Sequence, residues 1–283
     1  MKRLWLVALA PTLSVWALEH AKVLPKGIRN ITVKNAYTSI RQKTNTSGTV
    51  TPLASKLEKP LTYQKILNNE KGVKKNLLSG FFLSENINKN SSLGQFKADM
   101  GANVGVVAPI FSYGLTDHWT LAVAIPYYVA KVNVGLGFEP SNEANKFVNR
   151  LHDAEVNQTK SAREVAYKIS NAPQGLNSKL RDNGWNELTP LESSGLGDIM
   201  VASKYSVFTN ESLRVANFSG VLFPTGKIQD PNTPHDLPFG EGVWGVFTGF
   251  NVDKIISKDL FLNQFTKYTH KRPTQREVRA KTS

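Results

Sequence analysis

The chain has 283 residues, enough for one large barrel or two ordinary domains, and its 40% hydrophobic and 20% charged residues exclude wholesale disorder. It contains no cysteine, which excludes a disulfide framework, a thiolate metal site and a cysteine nucleophile. The formal net charge of +13 could attract nucleic acid, but the basic residues are scattered through predicted loops and the C-terminal stretch KRPTQREVRAKTS, away from stacking aromatic residues. We therefore expect no nucleic-acid partner.

The N-terminus has the pattern of an export signal. Lys2 and Arg3 precede the apolar run LWLVALAPTLSVWA, in which the small residues Val15 and Ala17 lie three and one before a cleavage point. This pattern predicts a secretory signal peptide over residues 1–17, cleaved near Ala17. The run is shorter than the roughly 20 residues of a membrane-spanning helix, and Pro11 interrupts it.

The first strands are predicted from a two-residue period. Residues 28–40 predict one strand, and from Lys97 to Ile110 the even positions are apolar while the early odd positions are polar or small. After a turn at residues 114–117, the apolar side chains occupy odd positions, and beyond Lys131 they return to even positions. A bulge near Ala130 would explain this second change.

Four further strands are predicted towards the C-terminus. Residues 199–207 and 244–252 alternate between apolar and polar side chains, while residues 211–224 and 259–270 are typical of strands but alternate poorly. With the strand over residues 119–138, the predicted total is about seven.

The connections between these strands alternate in length. Short ones fall at residues 114–117, 209–212 and 257–259, and long ones at residues 41–95, 139–196 and 225–242. Bacterial outer-membrane barrels have short periplasmic turns and longer extracellular loops. The sequence therefore predicts an all-β fold, an antiparallel up-and-down transmembrane β-barrel over residues 18–270, with residues 271–283 as a basic tail outside the pattern.

Aromatic residues lie on both sides of the first short turn. Phe111, Tyr113 and Trp119 cluster where the interfacial girdle of a membrane barrel would lie, although an aromatic plug at the bottom of a soluble barrel has the same pattern. On the membrane interpretation the apolar faces contact lipid, with Val104 and Val123 among them. The polar residues of the same strands would then line the lumen: Lys97, Asp99, Asn103, Lys131 and Asn133.

Three stretches resemble a known family. FSYGLTDHWTLAVAIPYY, SGLGDIMVASKYSVF and GVLFPTGK are similar to recurring phrases of the outer-membrane proteins grouped with the meta-pathway of phenol degradation, over residues 96–270. The motifs are a Tyr-Gly-Leu-Thr-Asp turn at residues 113–117, a Gly-Leu-Gly-Asp strand start at residues 195–198 and a Pro-Thr-Gly strand end at residues 224–226. The resemblance implies an outer-membrane barrel that passes small, often aromatic or apolar, compounds. Because the motifs are architectural, it implies no binding or catalytic residue.

Two of the long connections contain helix-forming stretches. In NEANKFVNRLHDAEVNQTKSAREVAYKISNA, Phe147, Leu151 and Ala154 recur at helical spacing on one face, and LTYQKILNNEKGVKKNLLSGFF has a similar composition. We expect short amphipathic helices in both stretches. They would either cap or plug the mouth of the barrel, or lie on its surface.

Candidate catalytic and metal-binding residues are few. His152, Asp153 and Glu155 lie close together but lack the His-Glu-x-x-His spacing of a zinc site. His235 and Asp236 lie in the Pro-rich stretch QDPNTPHDLPFGEG, without a nearby serine in an elbow motif. We predict no enzymatic activity, no cofactor and no metal.

The first hypothesis is a channel or transporter of the bacterial outer membrane, whose partners are outer-membrane lipid and small hydrophobic or aromatic molecules. Two other classes stay open. A soluble secreted lipocalin-like barrel would turn its apolar faces inward around a small hydrophobic ligand. An outer-membrane hydrolase on a barrel scaffold would need an organised serine, histidine and acid.

Seven strands do not close an antiparallel barrel, because bacterial single-chain barrels use an even number. The strands at residues 28–40 and 259–270 would expose unpaired backbone groups to hydrocarbon. A truncated chain, a barrel completed by another chain in an oligomer, or an eighth strand within residues 41–95 would each explain the count. We favour truncation, because the composition changes abruptly after His270. The polypeptide would then be a non-functional barrel fragment.

Overall fold

The computed structural model describes residues 20–45, 47–69, 71–84, 86, 88–145, 167 and 171–273. Three sequence predictions lie outside the described residues: the signal peptide, the helical face of Phe147, Leu151 and Ala154, and the cluster of His152, Asp153 and Glu155. Most of the basic tail also lies outside them, although Lys271 ends the last strand.

Extended segments dominate the described chain, as the two-residue periods predict. The strands are β1 (Arg29–Ile40), β2 (Gln42–Thr44), β3 (Val50–Pro52), β4 (Pro60–Thr62), β5 (Ser92–Thr116), β6 (Trp119–Ala124), β7 (Tyr127–Pro140), β8 (Leu191–Leu196), β9 (Ile199–Thr209), β10 (Leu213–Phe223), β11 (Gly245–Ile255) and β12 (Phe261–Lys271). The helices with assigned bounds are α1 (Tyr63–Asn69), α2 (Gly72–Ser84) and α3 (Ala172–Asp182).

One antiparallel sheet contains all the long strands. β5 pairs with β1 on one side and with β6 and β7 on the other, and β6 and β7 then pair with β9 and β8. The sheet continues through β10 and β11 to β12. The predicted all-β antiparallel fold is confirmed. Since β1 pairs only with β5, and β12 only with β11, the sheet of the described residues is not closed.

Two neighbouring interruptions divide long strands in the middle of the sheet. The strand predicted over residues 119–138 breaks at Ile125 and Pro126, because proline has no backbone N–H for the ladder. The adjacent strand breaks at Gly197 and Asp198, and the Gly197 N–H donates to the Pro126 carbonyl at 2.8 Å. The interruptions thus lie side by side and separate β6 from β7 and β9 from β8.

The predicted bulge near Ala130 is wrong. The pairing of β5 with β7 runs without a register shift from Gly94 opposite Pro140 to Val107 opposite Tyr127. The apolar side chains therefore pass from one face to the other along β7 while the backbone stays regular.

The alternation of short and long connections is confirmed. Residues 117–118, 210–212 and 256–260 form short turns at one end of the sheet, which we call the short-turn end. The connections over residues 41–91, 141–190 and 224–244 begin and end at the opposite end, the long-loop end. In the described part of residues 41–91, the strands are only the three-residue β2, β3 and β4, so no eighth long strand lies there.

The predicted helices of the first long connection are confirmed as α1 and α2. They pack into a small core of their own beside the start of β5, where Tyr63 meets Phe82 edge-on with ring centroids 4.9 Å apart. In the second long connection, α3 follows the stretch that contains Phe147, Leu151 and Ala154. Pro173 lies in the first turn of α3.

Candidate functional site: the inner face of the sheet

The two faces of the sheet differ in what covers them. We call the face that carries the buried side chains, and against which residues 20–28 and 224–244 pack, the inner face; the other is the outer face. On β5 the even positions from Ala102 to Ile110 are buried on the inner face, whereas Val107 and Phe111 are exposed on the outer face. Because these two segments cover it, the inner face is the candidate functional site.

The five predicted lumen residues lie on the outer face. Lys97, Asp99 and Asn103 occupy the same side of β5 as Val107, and Lys131 and Asn133 pair opposite Asn103 and Gly101. Two of them make exposed ion pairs, Lys97 with Glu139 at 3.3 Å and Lys131 with Glu192 at 2.8 Å. All five lie on the long-loop side of the outer-face residues Val107 and Val129.

Val104 and Val123 lie on opposite faces, so the prediction that both contact lipid is wrong for one of them. Val104 is 7% exposed and packs with Ala130 and Phe239 on the inner face. Val123 pairs with Phe111 on the outer face. A register shift at the turn, between Gly114 and Thr116, determines this arrangement, and the period of either strand alone does not reveal it.

An apolar cluster fills the middle of the inner face. Its buried members are Ile110, Ala122, Ala124, Met200, Ala202, Phe218 and Phe247. Phe218 stacks on Phe265 at 5.1 Å and lies 6.2 Å from Phe247. Gly249 makes this stacking feasible, because a Cβ there would lie 2.4 Å from Phe218 Cζ and 2.0 Å from the Thr266 carbonyl oxygen.

The connection between β10 and β11 folds over the inner face at the long-loop end. Phe239 stacks on Tyr128 with parallel rings 5.3 Å apart, and Leu237 packs beside them on Val104 and Ala130. Phe239 is buried although it belongs to a loop. The covered surface at this end is therefore aromatic and aliphatic.

Two motifs of the family resemblance meet where this loop leaves the sheet. The Asp198 carboxylate accepts hydrogen bonds from the N–H groups of Gly226 at 3.0 Å and Glu241 at 2.9 Å. The Thr225 hydroxyl accepts from the Ile199 N–H at 2.9 Å. The Gly-Leu-Gly-Asp and Pro-Thr-Gly motifs are thus hydrogen-bonded to each other, and together they hold both ends of the loop on the sheet.

His235 and Asp236 serve the same loop. Asp236 accepts from Lys227 Nζ at 2.8 Å and from the Asp230 N–H at 2.9 Å. His235 is buried, its Nδ1 has no hydrogen-bond partner, and burial lowers its pKa below the ordinary value while a backbone hydrogen bond with Thr189 opposes that shift. The Asp236 carboxylate is thus engaged by groups of the same loop. Among the described residues, no serine is hydrogen-bonded to His235 or Asp236.

Polar side chains are buried at the short-turn end of the inner face. Lys204, Asn251 and Asp253 are 3%, 0% and 5% exposed, and Thr120 and Ser206 are also buried. They face the segment formed by residues 20–28, which we call the N-terminal strap. Asp253 accepts from the Ala21 N–H at 2.9 Å, and Lys204 Nζ donates to the His20 carbonyl at 2.7 Å.

The two-residue period of the sequence puts Lys204, Asn251 and Asp253 on the polar side of their strands but indicates no role for them. The signal for the aromatic cluster was weaker, since Phe218 lies in a strand that alternates poorly. Neither the strap nor the inward-folded loop could be found from local pattern, because their contacts join residues far apart in the chain.

Among the described residues, no group of three or more His, Asp or Glu residues could hold a metal ion. None of the described helices has both the length and the apolar character needed to cross a membrane. Comparison with known protein families and with curated proteins gives no match.

Proposed function

We propose that this chain forms the wall of a bacterial outer-membrane β-barrel that passes small apolar or aromatic compounds. The observation that carries the proposal is the reversed distribution of polarity between the two faces. Charged Lys204 and Asp253 are buried inside, while large apolar side chains are exposed outside on eight strands. These exposed residues are Ile31, Val33, Tyr37, Val107, Phe111, Tyr113, Trp119, Leu121, Tyr127, Val129, Leu196, Val201, Tyr205, Val207, Val246, Phe250, Leu262 and Tyr268.

Such a face is unfavourable in water. Monomeric soluble proteins rarely expose contiguous apolar patches above a few hundred Å², because burying apolar area contributes about 25 cal/mol per Å². In a bilayer the same side chains contact lipid tails, and the β-ladders pair the backbone groups of neighbouring strands with one another. The exposed apolar side chains of the outer face therefore support its placement against lipid.

The height of the apolar face also supports this environment. Along β7, Tyr127 and Val129 are followed on the same face by Lys131 and Asn133. Along β5, Phe111 and Val107 give way to Asn103, Asp99 and then Lys97. A membrane strand needs only about 9–11 residues, so the longer β5 would extend beyond the hydrocarbon at its long-loop end.

The five polar residues predicted to line the lumen acquire a different role in this proposal. They lie on the outer face just beyond the apolar side chains, where strands would leave the membrane for the headgroup region. The lumen is lined instead by the inner face, with Phe218, Phe247 and Met200 in its middle. This aromatic lining is what supports apolar or aromatic cargo.

The orientation follows from the connections. The short-turn end would face the periplasm and the long-loop end the outside, with residues 1–17 directing export. Closing the barrel needs further strand pairing, because β1 and β12 run in the same direction and each has one unpaired edge. A strand antiparallel to both, from this polypeptide or from another chain, would satisfy both edges.

Membrane fractionation, followed by labelling of single cysteines, tests the proposal. We expect the chain in outer membranes, with a label at Val107→Cys quenched by a lipid-borne quencher and a label at Val104→Cys unaffected. The two positions are three residues apart on β5, and the native chain has no cysteine that would interfere. Recovery of the folded chain in the soluble periplasm would refute a membrane barrel.

A soluble lipocalin-like binder is the second candidate, since the buried aromatic cluster on the inner face would suit a hydrophobic ligand equally well. It would be extracted without detergent, and labels at Val107 and Val104 would then respond alike to lipid. The exposed outer face argues against it.

A further inference from the structure

The N-terminal strap crosses the inner face instead of leaving the sheet. From His20 it passes β11, β9 and β6 in turn and then reverses at Lys26 and Gly27 to enter β1. Residues separated by 232 positions in the chain are hydrogen-bonded at its beginning. The strap therefore spans the short-turn end from one half of the sheet to the other.

Side chains of the sheet recognise the main chain of the strap. Asn251 Nδ2 donates to the His20 carbonyl at 3.2 Å, in addition to the Lys204 bond to the same oxygen. Farther along, the Leu24 N–H donates to the Thr120 hydroxyl at 2.8 Å and the Lys26 N–H to the Asp117 carboxylate at 3.0 Å. Three strands thus contribute polar groups at successive points of one extended segment.

The side chains of the strap contribute little to this contact. Ala21 is 1% exposed, whereas His20, Lys22 and Pro25 are exposed and Val23 and Leu24 are partly buried. The arrangement selects an extended main chain with a small residue at one position. Such recognition, by hydrogen bonds to main-chain groups with a pocket for one side chain, is how extended peptides bind to proteins.

Burial of Lys204 and Asp253 requires partners of this kind. A charged group removed from water is costly unless hydrogen bonds compensate for it, and the strap supplies a carbonyl to the lysine and an N–H to the aspartate. Asp253 is also held by Asn263 Nδ2 at 2.6 Å. Without the strap, water would have to enter the short-turn end and solvate both charges.

The Tyr-Gly-Leu-Thr-Asp turn fastens the other end of the strap. Gly114 and Gly27 are joined by a hydrogen bond of 2.8 Å, and Gly114 donates to the Ile28 carbonyl at 2.9 Å. A Cβ on Gly114 would lie 2.0 Å from the Pro25 carbonyl oxygen, so only glycine allows this approach. The strap is consequently fixed where it meets β1, and its free part is the segment that crosses the inner face.

The geometry points to a polypeptide-binding site on the inner face, formed by Thr120, Lys204, Asn251 and Asp253, which holds residues 20–24 of the chain as a releasable plug of the short-turn end. The plugging role rests on the proposed barrel. The binding site does not, because it is defined by contacts within the chain. Cargo that enters from the long-loop end would pass the aromatic cluster and leave only when the strap is released.

The variant Ala21→Trp tests the site, because a large side chain cannot fit at a position that is 1% exposed. The matched control is Lys22→Trp at the next, exposed position. In detergent micelles we expect amide hydrogen exchange at Leu24 to accelerate by about tenfold or more in Ala21→Trp, since several hydrogen bonds are lost together. The control should exchange like the native chain, and equal rates in both variants would overturn the binding site.

A second measurement does not depend on folding of the bulky variant. A chain lacking residues 18–24 should bind the synthetic peptide HAKVLPK and should not bind HWKVLPK, as followed by fluorescence anisotropy of a labelled peptide. Equal binding of the two peptides, or binding of neither, would overturn recognition of an extended segment at this site.

Permeation separates the plug from the barrel. In liposomes, Ala21→Trp and the strap-deleted chain should pass a small aromatic solute faster than the native chain and Lys22→Trp, and HAKVLPK should reverse the effect of the deletion. If Ala21→Trp inserts and its Leu24 amide exchanges faster but permeation is unchanged, the strap is not a plug and only stabilises the fold. A chain that never inserts would refute the proposed function, while the exchange and peptide measurements in micelles still decide the binding site.

Discussion

β5 and β11 belong to the same sheet and follow the same two-residue period. The polarity of the side chains distinguishes the inner from the outer face in β11 but not in β5. In β11 the inner positions include Asn251 and Asp253, and the outer positions include Val246 and Phe250, so polarity separates the faces. In β5, Val104 and Val106 point inward while Val107 and Phe111 point outward, and both faces are apolar.

What covers each strand explains the difference. The inner face of β11 meets the polar main chain of the strap, whereas that of β5 around Val104 meets the aromatic side chain of Phe239 from the folded loop. Hydrophobic alternation thus reports the contrast between two environments and fails where both are apolar. Substitutions in the two halves of the sheet can test this explanation.

The largest effect is expected for Phe218→Ala, on β10 next to β11. Phe218 is fully buried and stacks on Phe265, so its truncation should lower the free energy of unfolding by about 3–5 kcal/mol. Denaturant titration in detergent micelles measures the change. Phe250→Ala, on the outer face of β11, is the matched control and should cost much less; equal losses would mean that the faces are not distinct in this half.

A charge on the outer face should have the next largest effect. Val129→Arg on β7 places a guanidinium among exposed apolar side chains and should cost about 2–4 kcal/mol if this level lies near mid-membrane. Asn133→Arg lies on the same face of the same strand, beyond the apolar residues, and should cost about 0–1 kcal/mol, as near an interface. Folding into liposomes from denaturant compares them, and a reversed order would move the membrane level along the strand.

Two glycines on the inner face of β11 should respond differently to replacement by alanine, with a smaller change in the free energy of unfolding. Gly249→Ala brings a Cβ against the Thr266 carbonyl and Phe218, and such overpacking typically costs about 1–3 kcal/mol. In Gly245→Ala the nearest atom to the new Cβ belongs to the flexible Leu222 side chain, at 3.2 Å, and the His270 carbonyl oxygen lies at an ordinary contact distance of 3.6 Å, so this variant should cost less. Unfolding titrations of both variants check the ranking, and indifference to Gly249→Ala would contradict the stacking of Phe218 across β11.

The period, the turn residues and the connection lengths allowed the long strands and the alternating ends of the sheet to be predicted. The face of β5 could not be predicted in this way, since it depends on the register shift beside Gly114 and on the packing of Phe239. The change of apolar side along β7 predicts a bulge only if a strand has one apolar face throughout. In the structure the backbone is regular and the surroundings of each face change along it.

The candidate site was less predictable than the sheet. Lys204 and Asp253 looked like ordinary polar positions of half-buried strands, and only the path of the strap shows what they bind. Asp198 is likewise predicted only as part of a strand start, whereas its carboxylate accepts hydrogen bonds from backbone groups that follow it by 28 and 43 positions. Contacts between residues so far apart in the chain depend on tertiary packing. Local patterns of residue type do not reveal them.

The smallest effect concerns the folded loop over β5, whose Phe239 side chain packs on the inner face of that strand. Burial lowers the pKa of His235 below its ordinary value of 6.5, so the folded loop prefers the neutral imidazole. As pH falls through 6.5, the released loop takes up the proton first, and its folded form loses stability; above that pH the contribution is fully present. Nearby Asp236 opposes the shift but is engaged by Lys227, so it limits the effect without removing it. Hydrogen exchange at the Phe239 amide should therefore rise as pH is lowered from 7 to 5, after correction for the intrinsic rate, and His235→Gln should be flat over the same range. A native chain with the same pH profile as His235→Gln would show that this histidine does not control the loop.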